Sequence, residues 1–130
     1  MTNHPNRNVP SEIDFSEDVI DVRDVIARFE YLKNRRGERA KEERGVLQLF
    51  LESVAGEGSD EEWHGSWYPL LFIRDSHFED YARDLAEDVA GEALREARWP
   101  MTCIDWERAV MELQQDYTTV DVEGHTYWYR

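Results

Sequence analysis

An α+β fold is predicted for this 130-residue chain by three observations. Apolar residues recur at the spacing of one helical face in four separate stretches. Two short β-rich runs flank Glu123-Gly124, which is a hairpin signal. Gly and Pro punctuate the intervals, at Gly56, Gly58, Gly65 and Trp99-Pro100. The expected architecture is an N-terminal αα-hairpin, two C-terminal helices and a small terminal β-hairpin or antiparallel sheet. Residues 1–15 carry Pro5, Pro10 and several Asn and are expected to be a flexible tail. Residues 16–130 are expected to form one domain, with 16–56 as the helical hairpin and 57–130 as an acidic part.

The first helix is expected from about Asp21 to Arg36, capped by Asp21 or Ser16. Val22, Val25, Ile26, Phe29 and Leu32 share one face of it, and Asp24 and Arg28 are spaced for an i,i+4 pair. The basic stretch from Lys33 to Arg44, interleaved with Glu38, Glu42 and Glu43, reads as a turn and the solvated start of a second helix. Val46, Leu47, Leu49, Phe50, Leu51 and Val54 give that helix an apolar face, and Gly56 stops it.

Residues 56–66 are expected to be a loop. Trp67 to Ile73 is a short apolar run of strand length, and Pro69 predicts an edge or an approach rather than a central strand. Ser76 with Glu79 three residues on forms a capping-box pattern. The helix behind it carries Phe78, Tyr81, Ala82, Leu85 and Val89 on one face and ends near Gly91 or runs on to Arg98. Asp105 is placed to cap a last helix, with Trp106, Ala109, Val110 and Leu113 facing inward. Tyr117–Val122 and His125–Tyr129 then form the hairpin.

Composition separates classes of function. Hydrophobic residues make up 41% and aromatics 12%, which argues for a packed core despite 34% charged residues. The lone Cys103 leaves no internal disulfide, and its flanks suggest a buried thiol. The polar start, with no apolar core of a secretion signal, together with the single thiol predicts a cytoplasmic protein. Fifteen basic against 29 acidic residues give a net charge of −14. Residues 1–56 hold 11 acids and 9 bases, whereas residues 57–123 hold 18 acids and 5 bases. Such a surface repels nucleic acid and anionic membranes and attracts basic partners.

No arrangement of catalytic type stands out. His4, His64, His77, Cys103 and His125 form no paired metal-ligand motif, so no metal and no cofactor are expected. There is no nucleophile elbow and no Gly-rich phosphate loop, and the chain is read as a non-enzyme. The acids carry the positive signal. Asp80, Asp84 and Asp88 lie four apart with Glu79 and Glu87 beside them, and Glu92 continues the line. Four helical residues rise about 6 Å, close to the spacing of phosphates along a DNA strand. Like charges at i,i+4 cost a helix a few tenths of a kcal/mol per pair, so local stability does not ask for this row. Asp105, Glu107, Glu112 and Asp116 add acids around the last helix, and Asp60, Glu61 and Glu62 form a secondary acidic loop. The plain alternative is that these carboxylates only keep the chain soluble. A second kind of function, an adaptor or assembly protein, would use Trp63, Trp67 and Tyr68 as an exposed aromatic patch.

The stretch from Leu70 to Arg130 carries a resemblance. The helix FEDYARDLAED (Phe78–Asp88), the run CIDWERAV (Cys103–Val110) and the DYT…G…YW hairpin (Asp116–Trp128) resemble small proteins of bacteriophages and mobile elements. These are similar in turn to the C-terminal part of the ArdA antirestriction proteins. ArdA proteins are acidic DNA mimics that occupy the DNA-binding groove of type I restriction–modification enzymes. The resemblance covers about half the chain; ArdA proteins are longer, and the Asp21–Val54 hairpin has no match in them. It implies an antirestriction or antidefence protein of the host-cell cytoplasm. Its partner would be a basic, DNA-binding host protein, and it would have no direct contact with nucleic acid or membrane. A homodimer like those of the family is also implied as an option.

Overall fold

The computed structural model describes residues 9–91, 99 and 101–130. Among the described residues, two antiparallel sheets and four α-helices make up the fold, which is α+β as the sequence predicts. Strand β1 (Val19–Asp21) leads directly into helix α1 (Val22–Leu32), and α2 (Glu38–Val54) returns beside it. A two-stranded hairpin follows, β2 (Glu61–Trp63) and β3 (Ser66–Tyr68). Strand β4 (Leu71–Arg74) then runs through a single 3-10 turn, Asp75–His77, into α3 (Phe78–Ala90). After a second 3-10 turn, Met101–Cys103, come α4 (Trp106–Gln114), β5 (Thr118–Val122) and β6 (His125–Tyr129).

The main sheet has the order β1-β4-β6-β5, antiparallel throughout. Alternation along its strands sends neighbours to opposite faces. Phe72, Tyr127 and Tyr129 join the core formed with Val22, Val25 and Leu32 of α1 and Leu47, Phe50, Leu51 and Val54 of α2. Ile73 and Trp128 face the other way, into a second core with Phe78, Tyr81 and Ala82 of α3, Val110 and Leu113 of α4, and Tyr117. The sheet is therefore a middle layer, with the helical hairpin on one side and the two acidic helices on the other. Tyr127 is wholly buried, and its phenol donates to the Glu17 carbonyl at 2.7 Å. Burial pushes that phenol's pKa up to about 12.

The local signals succeed where the chain solves its own problem. The Asp21 carboxylate accepts from the Arg23 N–H at 2.8 Å, closing the N-terminus of α1. The Arg23 guanidinium beside it holds the Asp21 carboxyl below the usual carboxylate range. Asp105 caps α4 by accepting from the Arg108 N–H at 3.1 Å. Glu123 and Gly124 both take positive φ, 51° and 80°, in a two-residue hairpin turn.

Other expectations are corrected. Helix α1 ends at Leu32, four residues before Arg36, and Arg28 pairs across the hairpin with Glu43 rather than with Asp24. Leu49 leaves the core face of α2 and is 70% exposed. The tail ends earlier than residue 15, because Phe15 is buried against Phe50 with ring centroids 5.5 Å apart. The expected loop over 56–66 contains the β2–β3 hairpin, turning at His64-Gly65. The apolar run Trp67 to Ile73 is two strands broken at buried Pro69, and β4 behind the proline is an inner strand. Pro69 lacks a donor but sits outside the main ladder, so it costs that ladder nothing. Ser76 forms no capping box: it lies in the 3-10 turn, and α3 opens at His77 with no side-chain cap. Helix α3 ends at Ala90 with Gly91 as its C-cap, the first of the two ends expected, but Val89 in its last turn is 80% exposed rather than inward. Arg98 lies outside the described residues.

Candidate functional site

Helix α3 presents two distinct faces. At about 100° per residue, Phe78, Tyr81, Ala82 and Leu85 cluster on the side that meets the sheet and α4. Asp80, Asp84, Glu87 and Asp88 fall within an arc of about 100° whose centre lies about 120° round the helix from that side. Asp80, Asp84 and Asp88 are exposed and Glu87 is half-buried. Among the described residues, Asp84 and Asp88 have no cation within ion-pair distance. Asp80 has a weak neighbour in His77, whose Nδ1 lies 4.0 Å from it and 3.7 Å from Asp18.

Glu79 stands apart from the row. Its carboxylate accepts from Arg83 at 2.9 Å, and the Arg83 guanidinium lies 4.8 Å from the centre of the Trp106 ring. Arg83 thus ties α3 to α4 and sits at the border of the acidic arc, about 40° round the helix from Glu87. Glu92 lies outside the described residues.

The acids of α4 are not a continuation of that row. Asp105 is used as the cap, and Glu112 pairs with Arg108 at 3.6 Å. Glu107 is exposed, yet helical geometry sets it about 140° round the helix from Glu112. Asp116 is exposed in the turn after α4, where its N–H donates to the Leu113 carbonyl at 3.1 Å. The acidic loop also has structural work. Asp60 accepts from the Leu70 N–H at 3.3 Å, and Glu62 accepts from the Gly65 N–H at 2.7 Å across the hairpin turn. Glu61 lies in β2 opposite Tyr68. The expected site therefore contracts to one helix face, with the remaining candidates dispersed around it.

The aromatic patch is largely absorbed into the fold. Tyr68 is 4% exposed, and Trp63 packs edge-on to Phe29 while its indole N–H donates to Glu30 at 3.1 Å. Trp67 alone of the three is exposed. Cys103 is also exposed, contrary to the buried thiol expected from its flanks.

Sequence reasoning missed a concave site altogether. A cavity of about 550 Å³ opens between residues 12–16, the first half of α2 and the β5–β6 turn. Phe15 and Leu47 line it, with Glu12, Arg39, Glu42 and His125 around them. Three segments far apart in the chain build it, so no motif announces it. Among the described residues no group of three His, Cys, Asp or Glu is placed to hold a metal ion. No helix among them is long and apolar enough to cross a membrane.

The chain matches no family model, no curated protein and no solved structure.

Proposed function

We propose that this protein is a non-catalytic antirestriction or antidefence factor that acts as a DNA mimic. Its target would be a basic, DNA-binding host protein such as a type I restriction–modification complex. The observation that carries this reading is the exposed row Asp80, Asp84 and Asp88 on α3, with half-buried Glu87 beside it, on a face distinct from the helix's apolar one. Carboxylates spaced about 6 Å apart along one rigid helix imitate a phosphate strand. The wider charge of −14 would steer a basic groove toward that row over a longer range. The mechanism would be stoichiometric occupation of the groove, with no bond made or broken.

The test is phage plating on matched hosts with and without a type I system, with the protein expressed. Restored plating on the restricting host alone supports the reading. The variant Asp80→Lys, Asp84→Lys, Glu87→Lys, Asp88→Lys should lose that activity while keeping its helical circular dichroism. Full activity in the folded variant would remove α3 as the mimic, and no restoration by the parent would remove this target. An adaptor role now has Trp67 as its one exposed member of the aromatic trio, which is a thin basis for a binding hot spot.

A further inference from the structure

We propose that two copies of this chain associate by pairing their β5 strands edge to edge, antiparallel, about a twofold axis at Val120. The inference rests on the backbone and is independent of the role of α3. Strand β5 is an outer strand of the main sheet and, at five residues, matches its neighbour β6 in length.

The turn fixes which of its groups are free. In a two-residue turn with positive φ at both positions, the flanking pair Val122 and His125 exchanges both hydrogen bonds. Alternation then points the N–H and C=O of Thr118, Val120 and Val122 at β6, and those of Thr119 and Asp121 outward. Among the described residues no backbone group bonds to these outward donors and acceptors. The opposite edge, β1, has only three residues.

Edge strands are ordinarily guarded by proline, by a bulge or by an outward charge, lysine above all. Strand β5 reads Thr-Thr-Val-Asp-Val and has no proline and no basic residue. Its one charge, Asp121, accepts from the Thr126 hydroxyl at 2.7 Å on its own sheet.

The edge is also complementary to itself. With the axis at Val120, Thr119 faces the partner's Asp121 and Asp121 faces the partner's Thr119. Each of these two pairs exchanges two backbone hydrogen bonds. A hydroxyl donor, not a second carboxylate, therefore stands opposite each aspartate, and Val120 meets the partner's Val120 between them. Any register that brings Asp121 opposite the partner's Asp121 juxtaposes like charges and is disfavoured. The occupant that fits this edge is a second copy of the chain.

Two five-residue strands make a small interface, and each protomer carries a charge of −14. The dimer is therefore weak, and it tightens as salt screens the mutual repulsion. Capture of a basic target would respond to salt in the opposite sense, so the two ideas fail separately.

Sedimentation equilibrium of the full chain, from micromolar to millimolar and at low and high salt, tests the proposal. The expected result is a monomer–dimer equilibrium that shifts to dimer with salt. Thr119→Asp sets carboxylates opposite each other at both symmetric contacts and should weaken the dimer about tenfold. Thr119→Lys sets an ammonium opposite the partner's Asp121 and should tighten it by a similar factor of about ten. Thr119→Pro removes an outward donor without touching the bonds to β6 and should also weaken it, which keeps the test open if one variant folds poorly. A chain that stays monomeric at millimolar concentration in high salt overturns the proposal. So does a dimer whose dissociation constant is the same in all the folded variants.

Discussion

The guanidinium of Arg28 closes on the carboxylate of Glu43 through two hydrogen bonds, 2.6 Å from Nε and 2.9 Å from Nη2. Its remaining nitrogen donates to the Pro10 carbonyl at 2.9 Å. One side chain on α1 thus holds α2 and the incoming N-terminal segment together. The side chains are only 14% and 20% exposed, so this is a partly desolvated pair rather than a surface one. Arg28→Ala should cost about 2 kcal/mol in urea unfolding. Glu43→Ala added to it should cost little more, and a fully additive double variant would show that the two side chains are not coupled.

Two glycines predict opposite responses to the same substitution. A Cβ on Gly58 would run into the backbone of Tyr68 and Pro69, where the chain crosses itself behind β3. Gly58→Ala should therefore destabilise the fold by about 3 kcal/mol or more, the range of strained or overpacked sites. Gly45 lies inside α2 with open space around it. Gly45→Ala should stabilise by about 0.5–1 kcal/mol through helix propensity. Thermal unfolding of the two variants checks both signs.

Alkali should loosen the fold in a defined window. The Tyr127 phenol has its pKa raised by burial from 10.0 to about 12, and Tyr117 is raised as well, by burial first and by its bond to Tyr81. A raised phenol pKa means that the folded state favours the neutral form. The stabilisation is fully present below the unfolded value of 10.0 and is lost as pH rises toward the folded value of about 12. Tyr127→Phe cannot ionise there and should flatten this part of the stability curve, at the expense of the bond to Glu17. A stability curve that is level across the window in the parent protein would contradict the burial of both phenols.

The row on α3 should carry a stability penalty. Asp80, Asp84 and Asp88 repel at i,i+4, and Asp84 has a like-charged neighbour on each side. Asp84→Gln removes both contacts and should raise stability by about 0.5 kcal/mol. If it is neutral or destabilising, Asp84 makes a stabilising contact in the folded chain.

Cys103 should react with a thiol reagent in the folded protein at close to the rate of a free cysteine, because it is exposed. Labelling that requires denaturant would show the segment to be packed.

How far the sequence is legible follows from the reach of each interaction. The caps Asp21 and Asp105 are readable because the carboxylate and the N–H that it accepts from lie two or three residues apart. Ser76 has the same pattern and fails, because tertiary contacts set the turn that holds it. The indole of Trp128 donates to Asp75 at 2.8 Å, anchoring that turn to β6. Strand β1 is three residues long and pairs with β4 some fifty residues on, so neither alternation nor a turn signals it. The acids of α3 are legible as one face, since helical periodicity alone sets their directions. The structural employment of Asp60 and Glu62 is not, because their partners are defined by the β2–β3 hairpin.

The order β1-β4-β6-β5 has a consequence for how the chain is made. Strand β4 receives β1 from upstream and β6 from fifty residues downstream, and Tyr127 reaches Glu17 across 110 positions. On the ribosome, β4 must wait with one edge open until the segment carrying β6 has been synthesised. Meanwhile the helical hairpin has only part of the sheet to close against, and α3 has no Trp128 beneath it. The dense negative charge of the chain then keeps these half-built molecules apart while they wait.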